Sequence, residues 1–146
     1  MIFLEVCLIL CENDLDKAIE VLQKAVEINP KDSKAYYALG AVYTDKKEYD
    51  NAIEVLQKEV EINPKNDEAY INMGNAYFLK GEYDKAIDVC QKAIDINPKR
   101  YDPYAFMGAS YLSKGEDIKA IEMYEKLVEI EPTKSNIYKL MGDIYL

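Results

Sequence analysis

The sequence predicts an all-α protein, a solenoid of stacked antiparallel helix pairs with about nine helices. Three observations predict it. Prolines fall at Pro30, Pro64, Pro98 and Pro132, always 34 residues apart. The text before each is nearly the same: DLDKAIEVLQKAVEINP, EYDNAIEVLQKEVEINP, EYDKAIDVCQKAIDINP and GEDIKAIEMYEKLVEIEP. Each period holds two apolar stripes of helical spacing, and no stretch alternates as a strand would. A fixed period of this size marks stacked units that cannot bury their apolar faces alone.

The elements follow in order. In DEAYINMGNAYFLKG, Tyr70, Met73, Gly74 and Tyr77 stand at i, i+3, i+4 and i+7, one face of a helix. In EYDKAIDVCQKAIDINP, Tyr83, Ala86, Ile87, Cys90, Ala93 and Ile94 make a second such face. Gly81 breaks the chain between the two, and Pro98 stops the second helix. Carried through every period, this gives helices near 2–12, 15–28, 33–46, 49–62, 67–80, 83–96, 101–114, 117–130 and 135–146. Pro103 falls early in its helix, where proline is tolerated.

The residues in these columns resemble the tetratricopeptide repeat, with its 34-residue period and W…L-G…Y…A…F…P pattern. The repeat at 67–100 carries Tyr70, Met73, Gly74, Tyr77, Ala86, Cys90, Ala93 and Pro98 in those columns. The repeat at 33–66 carries Tyr36, Leu39, Gly40, Tyr43, Ala52, Leu56 and Pro64, with Glu59 where a small residue is usual. The repeat at 101–134 carries Tyr104, Met107, Gly108, Tyr111, Ala120, Tyr124 and Pro132. Tyrosine stands in for tryptophan throughout. The resemblance implies a right-handed superhelix forming a single repeat domain over 1–146. Its parts are a degenerate first repeat at 1–32, three full repeats, and a partial capping repeat at 135–146. Gly40, Gly74 and Gly108 are expected at close helix crossings, faced by Ala52, Ala86 and Ala120.

The opening stretch, MIFLEVCLILCEND, has ten apolar residues among its first eleven. A strict 34-residue frame would bury Glu5 and put Val6 in the glycine column. A shift of one residue instead places Phe3, Val6, Cys7 and Leu10 inward and leaves Glu5 in water. Burial of an unpaired carboxylate would cost several kcal/mol. A signal peptide would want a basic start and a small-residue cleavage site. A membrane span would need about 20 apolar residues. A lipid tag would want a small residue where Leu10 stands. The stretch therefore reads as a first helix packed on 15–28, with Ile2, Leu4, Leu8 and Ile9 off the core stripe. That leaves two readings open: a piece of a longer array, or self-association through apolar ends.

Composition limits the chemistry. The net charge of −9 argues against nucleic acid, whose phosphates need a basic face. With no histidine, His-based acid–base chemistry and His metal ligands are excluded. Cys7, Cys11 and Cys90 are too few for a disulfide framework, which points to a reducing compartment such as the cytoplasm. Cys7 and Cys11 are four residues apart, yet a closed zinc site would lack ligands. The abundant carboxylates stand beside lysines on exposed helical positions, as solvated pairs do. No cofactor, metal site, catalytic constellation or membrane segment is expected.

The family resemblance implies a non-enzymatic protein- or peptide-binding scaffold whose first helices line a concave groove. The corresponding stripe here holds Tyr37, Ala41 and Thr44, then Ile71, Asn75 and Phe78, then Ala105, Ala109 and Leu112, with Asn72 and Phe106 on the adjacent row. Asn72 and Asn75 suit the backbone of an extended peptide, and Phe78 and Phe106 suit an apolar side chain. Relatives that hold acidic chaperone tails use a clamp of Lys, Asn, Asn, Lys and Arg. Here the corresponding residues are Tyr37, Ala41, Asn72, Asp102 and Phe106, or one repeat later Ile71, Asn75, Phe106, Asn136 and Leu140. Neither set holds a cation, so an acidic tail would meet no counter-charge. The rim carries Asp45, Glu68, Asp102 and Asp143 against Lys34 and Lys139. The expected partner has apolar anchors and some Lys or Arg.

Overall fold

The computed structural model describes Ile2, Leu4 and residues 14–146. Eight α-helices follow one another: α1 (Leu15–Ile28), α2 (Ser33–Asp45), α3 (Tyr49–Ile62), α4 (Asp67–Lys80), α5 (Tyr83–Ile96), α6 (Tyr101–Ser113), α7 (Asp117–Ile130) and α8 (Ser135–Tyr145). Their bounds agree with the sequence reading to within one residue. Ile2 and Leu4 are helical, at 39% and 68% exposure. The readings made for Phe3, Glu5, Val6, Cys7, Leu8, Ile9, Leu10 and Cys11 lie outside the described residues.

Each helix packs on the next, and the first helices of neighbouring repeats also touch, α2 with α4 and α4 with α6. Among the described residues, no second helix reaches the second helix of the next repeat. First helices are therefore the closer-set row, and the array curves with them on its inner side.

The repeat unit closes where a glycine lets two helices approach. A Cβ built on Gly40 would lie 2.5 Å from the Leu56 side chain, and one on Gly108 would lie 2.5 Å from Tyr124. At Gly74 the obstacle is the sulfur of Cys90. The atoms nearest the glycines belong to Leu56, Cys90 and Tyr124, and the Ala86 carbonyl oxygen also lies within 4 Å of a Cβ on Gly74. Ala52, Ala86 and Ala120 are fully buried one turn earlier on the same helices. The facing side chains differ in size, so each crossing is shaped locally. Cys90 is free and buried, and burial pushes its thiol up to about 12, which leaves it unreactive.

Two further columns hold the repeats to one another. Ala35, Ala69, Pro103 and Ile137 are all buried, and so are Val42, Ala76 and Ser110. They lie off the stripes that periodicity singled out. The tyrosine hydroxyls find partners at the edges. Gln23 donates to the Tyr43 oxygen at 2.9 Å, and the Tyr104 hydroxyl donates to the Pro98 carbonyl at 3.1 Å.

The turns are built by different residues in equivalent places. Gly81 and Gly115 take φ of 80° and 75° after the first helix of their repeats. Lys47 takes φ of 64° at the same place in the preceding repeat. Beside each turn a lysine bridges neighbouring repeats: Lys46 to Asp16 and Glu48, Lys80 to Asp50 and Glu82, Lys114 to Asp84 and Glu116. The lysine hydrogen bond is the main reason that Glu48, Glu82 and Glu116 titrate below the usual carboxylate range. Their contribution is present above the ordinary value of 4.5 and is lost as pH falls through the lowered values. Bonds to the carboxylates raise the lysines, so their share is complete below 10.5 and is lost only as pH rises through the raised values. Because these groups are exposed, salt screens the ladder.

Two outcomes follow for stability. Gly74→Ala drives a methyl into Cys90 and should cost ~1–3 kcal/mol in denaturant unfolding. Gly142→Ala, in a helix with nothing within 4 Å of the new carbon, should be neutral or stabilise by up to ~1 kcal/mol. Equal effects at both sites would refute the close-crossing account. Lys47→Gly should raise stability by roughly 0.5–1 kcal/mol, because it relieves a left-handed backbone. A lower melting temperature would contradict that.

Candidate functional site

The inner row of first helices presents the groove. α2 supplies Tyr37, α4 supplies Asn72, Asn75 and Phe78, and α6 supplies Phe106, Ala109 and Leu112, all partly exposed. Ile71 differs. It is 5% exposed, and so lies beneath the groove instead of lining it. A first helix touched by another on each side keeps only a narrow strip open, and Ile71 falls outside that strip.

The open strip is polarised along the helices. Toward the C-terminal end of α4 and from the middle of α6 onward it is apolar. The rings of Phe78 and Phe106 meet across two repeats with centroids 6.4 Å apart and planes tilted by 43°. Tyr83, the first residue of α5, closes the other side of Phe78 at 5.8 Å. Leu79 is 48% exposed beside this cluster. Tilted aromatic rings in contact present a broad apolar surface at little conformational cost.

At the N-terminal ends the strip is charged. Arg100, the residue before α6, reaches back to the previous repeat. Its guanidinium lies 3.3 Å from Glu68, 3.8 Å from Asp67 and 3.6 Å from Asp102. Burial works against its charge, but these carboxylates outweigh it and the pKa rises. Asn97 also donates to Asp67 at 3.3 Å. Tyr37 stands nearby. Burial pushes its phenol above the ordinary range, the charge of Glu68 adds to this, and Asn72 opposes it.

The structure thus brings Phe78 and Phe106 together, as their columns suggested, and sets Tyr37 near Asn72. It adds Arg100, which reading the clamp columns missed. Arg100 stands outside those columns, in the loop before α6, and only the stacking brings it to the groove. Its presence does not restore a carboxylate clamp, since three carboxylates of the protein already surround it. Among the described residues, no group of three or more Cys, Asp or Glu is placed to hold a metal ion. No helix there is long and apolar enough to cross a membrane.

Paired helices, glycine crossings and an open inner strip define a helical-repeat interaction scaffold. Family models described as tetratricopeptide repeat or TPR repeat match residues 12–46, 40–81, 67–100 and 101–134. The chain belongs to the tetratricopeptide repeat family. Among solved structures, a crystal structure of MamA is 36% identical with a TM-score of 0.90, over 94% of this chain and 80% of that one. MamA 41-end from Desulfovibrio magneticus RS-1 is 27% identical with a TM-score of 0.84, over 91% of this chain and 75% of that one. The first TPR of Spaghetti (RPAP3), bound to the HSP90 peptide SRMEEVD, is 24% identical with a TM-score of 0.73, over 77% of this chain and 92% of that one, and shows the fold alone. No curated protein matches the sequence.

The aromatic pair belongs to the surface more than to the core. Phe78→Ala with Phe106→Ala should leave the helix content unchanged and cost about 1 kcal/mol per ring, the value of a half-buried side chain. Loss of cooperative unfolding in the double variant would place these rings in the core.

Proposed function

We propose that the chain, as one repeat domain over 1–146 in the cytoplasm, binds an extended peptide segment of a partner protein in its concave groove. The peptide places an apolar side chain on Phe78 and Phe106, with Ala109 and Leu112 beside them. It directs a Lys or Arg toward Glu68 and Asp102. Asn72 and Asn75 meet its backbone between these points. The observation that carries this reading is the cross-repeat ring pair set at one end of a strip whose other end holds three carboxylates around one arginine. Around Arg100 the carboxylates outnumber the cation three to one.

This reading implies a spacing. Glu68 and Phe78 are ten residues apart on α4, which is ~15 Å at 1.5 Å per residue. An extended peptide covers that in roughly four to five residues. On α6, Asp102 and Phe106 are four residues apart, ~6 Å, so the partner motif is an apolar anchor with a basic residue roughly two to five positions away. An acidic tail meets Glu68, Asp67 and Asp102 with Arg100 already engaged, so it binds poorly.

A second reading is self-association through apolar surface at the two ends of the array. Ile2, Leu4, Tyr138 and Tyr145 are exposed, and Gly142 of α8 faces open space where Gly40, Gly74 and Gly108 are covered. Sedimentation of Tyr138→Lys with Tyr145→Lys separates the readings: loss of a dimer with peptide binding intact supports association as an added property.

Fluorescence anisotropy tests the main reading. A labelled peptide with leucine and lysine five positions apart should bind. The Phe78→Ala/Phe106→Ala variant should weaken it at least tenfold, ~1.4 kcal/mol. The peptide SRMEEVD should bind more weakly than the leucine–lysine peptide. Tight, carboxylate-dependent binding of SRMEEVD would overturn the proposal.

A further inference from the structure

Position 59 departs from its column. Ala25, Ala93 and Leu127 fill the equivalent places in the other second helices, at 4%, 0% and 1% exposure. Glu59 is equally buried, at 0%, yet carries a carboxyl group. Its Oε1 accepts from the Ser33 hydroxyl at 2.7 Å and from the Asn66 side-chain amide at 2.8 Å. Its Oε2 has no hydrogen-bond partner among the described residues.

The two donors mark where this carboxyl sits. Ser33 is the first residue of α2, and Asn66 is the residue that precedes α4. A side chain from α3 thus lies between the N-termini of the helices on either side of it. Helix N-termini carry partial positive charge and free N–H groups, and they offset the cost of burying an anion. The two helix starts differ in their capping. Asp32 caps α2 by accepting from the Ala35 N–H, the ordinary role for a residue at that place. Asn66 makes no such bond to α4, and its side-chain amide donates to Glu59.

These ends bear on the groove. The loops at 29–34 and 63–68 wall a cleft of about 680 Å³ that Tyr37, Asp67 and Glu68 also line. Tyr37 and Glu68 belong to the charged end of the groove as well. We infer that Glu59 is a positioning residue: it ties α2 to α4 through Ser33 and Asn66, fixes the distance between Tyr37 and Glu68, and so sets the fit of the partner's basic residue. Its part in recognition rests on the groove reading above, whereas the tether does not.

Replacing a buried ionic group with an apolar one of similar volume is often neutral or stabilising, so stability alone is a poor test. Residue-resolved amide exchange on the full chain decides the tether. In Glu59→Met, the amides of Ala35, Tyr36 and Tyr37 and those of Ala69 and Tyr70 should exchange at least tenfold faster, with α6 and α7 unchanged. Glu59→Gln keeps the accepting oxygen and should restore most of the protection. Asn66→Ala cuts the tether without touching the core, and should loosen the start of α2 as well as that of α4. Unchanged exchange in Glu59→Met, or loosening confined to α4 in Asn66→Ala, would overturn the tether. Recognition is read by a ratio. Glu59→Met should weaken the leucine–lysine peptide at least fivefold relative to the same peptide with asparagine for lysine. Equal weakening of both would reduce Glu59 to a structural filler. If wild type binds neither peptide, the groove reading fails while the exchange result still stands.

Discussion

Everything in this array depends on how closely the two helices of a repeat approach. Gly40, Gly74 and Gly108 stand where a single methyl group would collide with Leu56, Cys90 and Tyr124. The facing side chain is the variable part, and the glycine is the constant one. Close approach makes the pair a rigid wedge. Wedges stack in a fixed direction, and the inner row of first helices is thereby held close enough for side chains of different repeats to meet. Phe78 touches Phe106, and Arg100 reaches Glu68, only because of that spacing.

Stacking uses a second set of residues with a different chemistry. The buried columns through Ala35, Ala69, Pro103 and Ile137, and through Val42, Ala76 and Ser110, are made largely of small side chains. Small residues let neighbouring repeats nest with few voids, and each methylene matters where packing is dense. The lysine bridges at Lys46, Lys80 and Lys114 repeat across the same junctions on the solvent side. Exposed pairs of this kind contribute little energy each, and they add register more than strength.

The site is less regular than the scaffold that carries it. Four equivalent positions on the second helices hold Ala25, Glu59, Ala93 and Leu127, and the one carboxyl among them sits beneath the charged end of the groove. The aromatic seat likewise occurs at one junction, between α4 and α6. In a protein built from near-copies, such departures are where individual repeats acquire separate tasks. Glu59 illustrates the trade. An apolar residue would pack there at lower cost, but would leave the loops at 29–34 and 63–68 without a shared anchor.

The sequence by itself determined the architecture, because the information is local and repeated. A 34-residue proline spacing, two stripes per period and a glycine in each first helix place all eight described helices to within a residue. The aromatic pair was legible too, since Phe78 stands in the stripe and Phe106 on the row beside it. Tertiary structure decided the rest. Ile71 sits in the stripe but is buried, because neighbouring first helices close that flank. Arg100 lies in a loop and joins the groove only through stacking. Glu59 reads in sequence as a misplaced charge, and only the meeting of two helix N-termini gives its carboxyl a place. Helix periodicity is written in residues a few positions apart. Which side chains share a surface depends on contacts across a whole repeat, and those follow from packing.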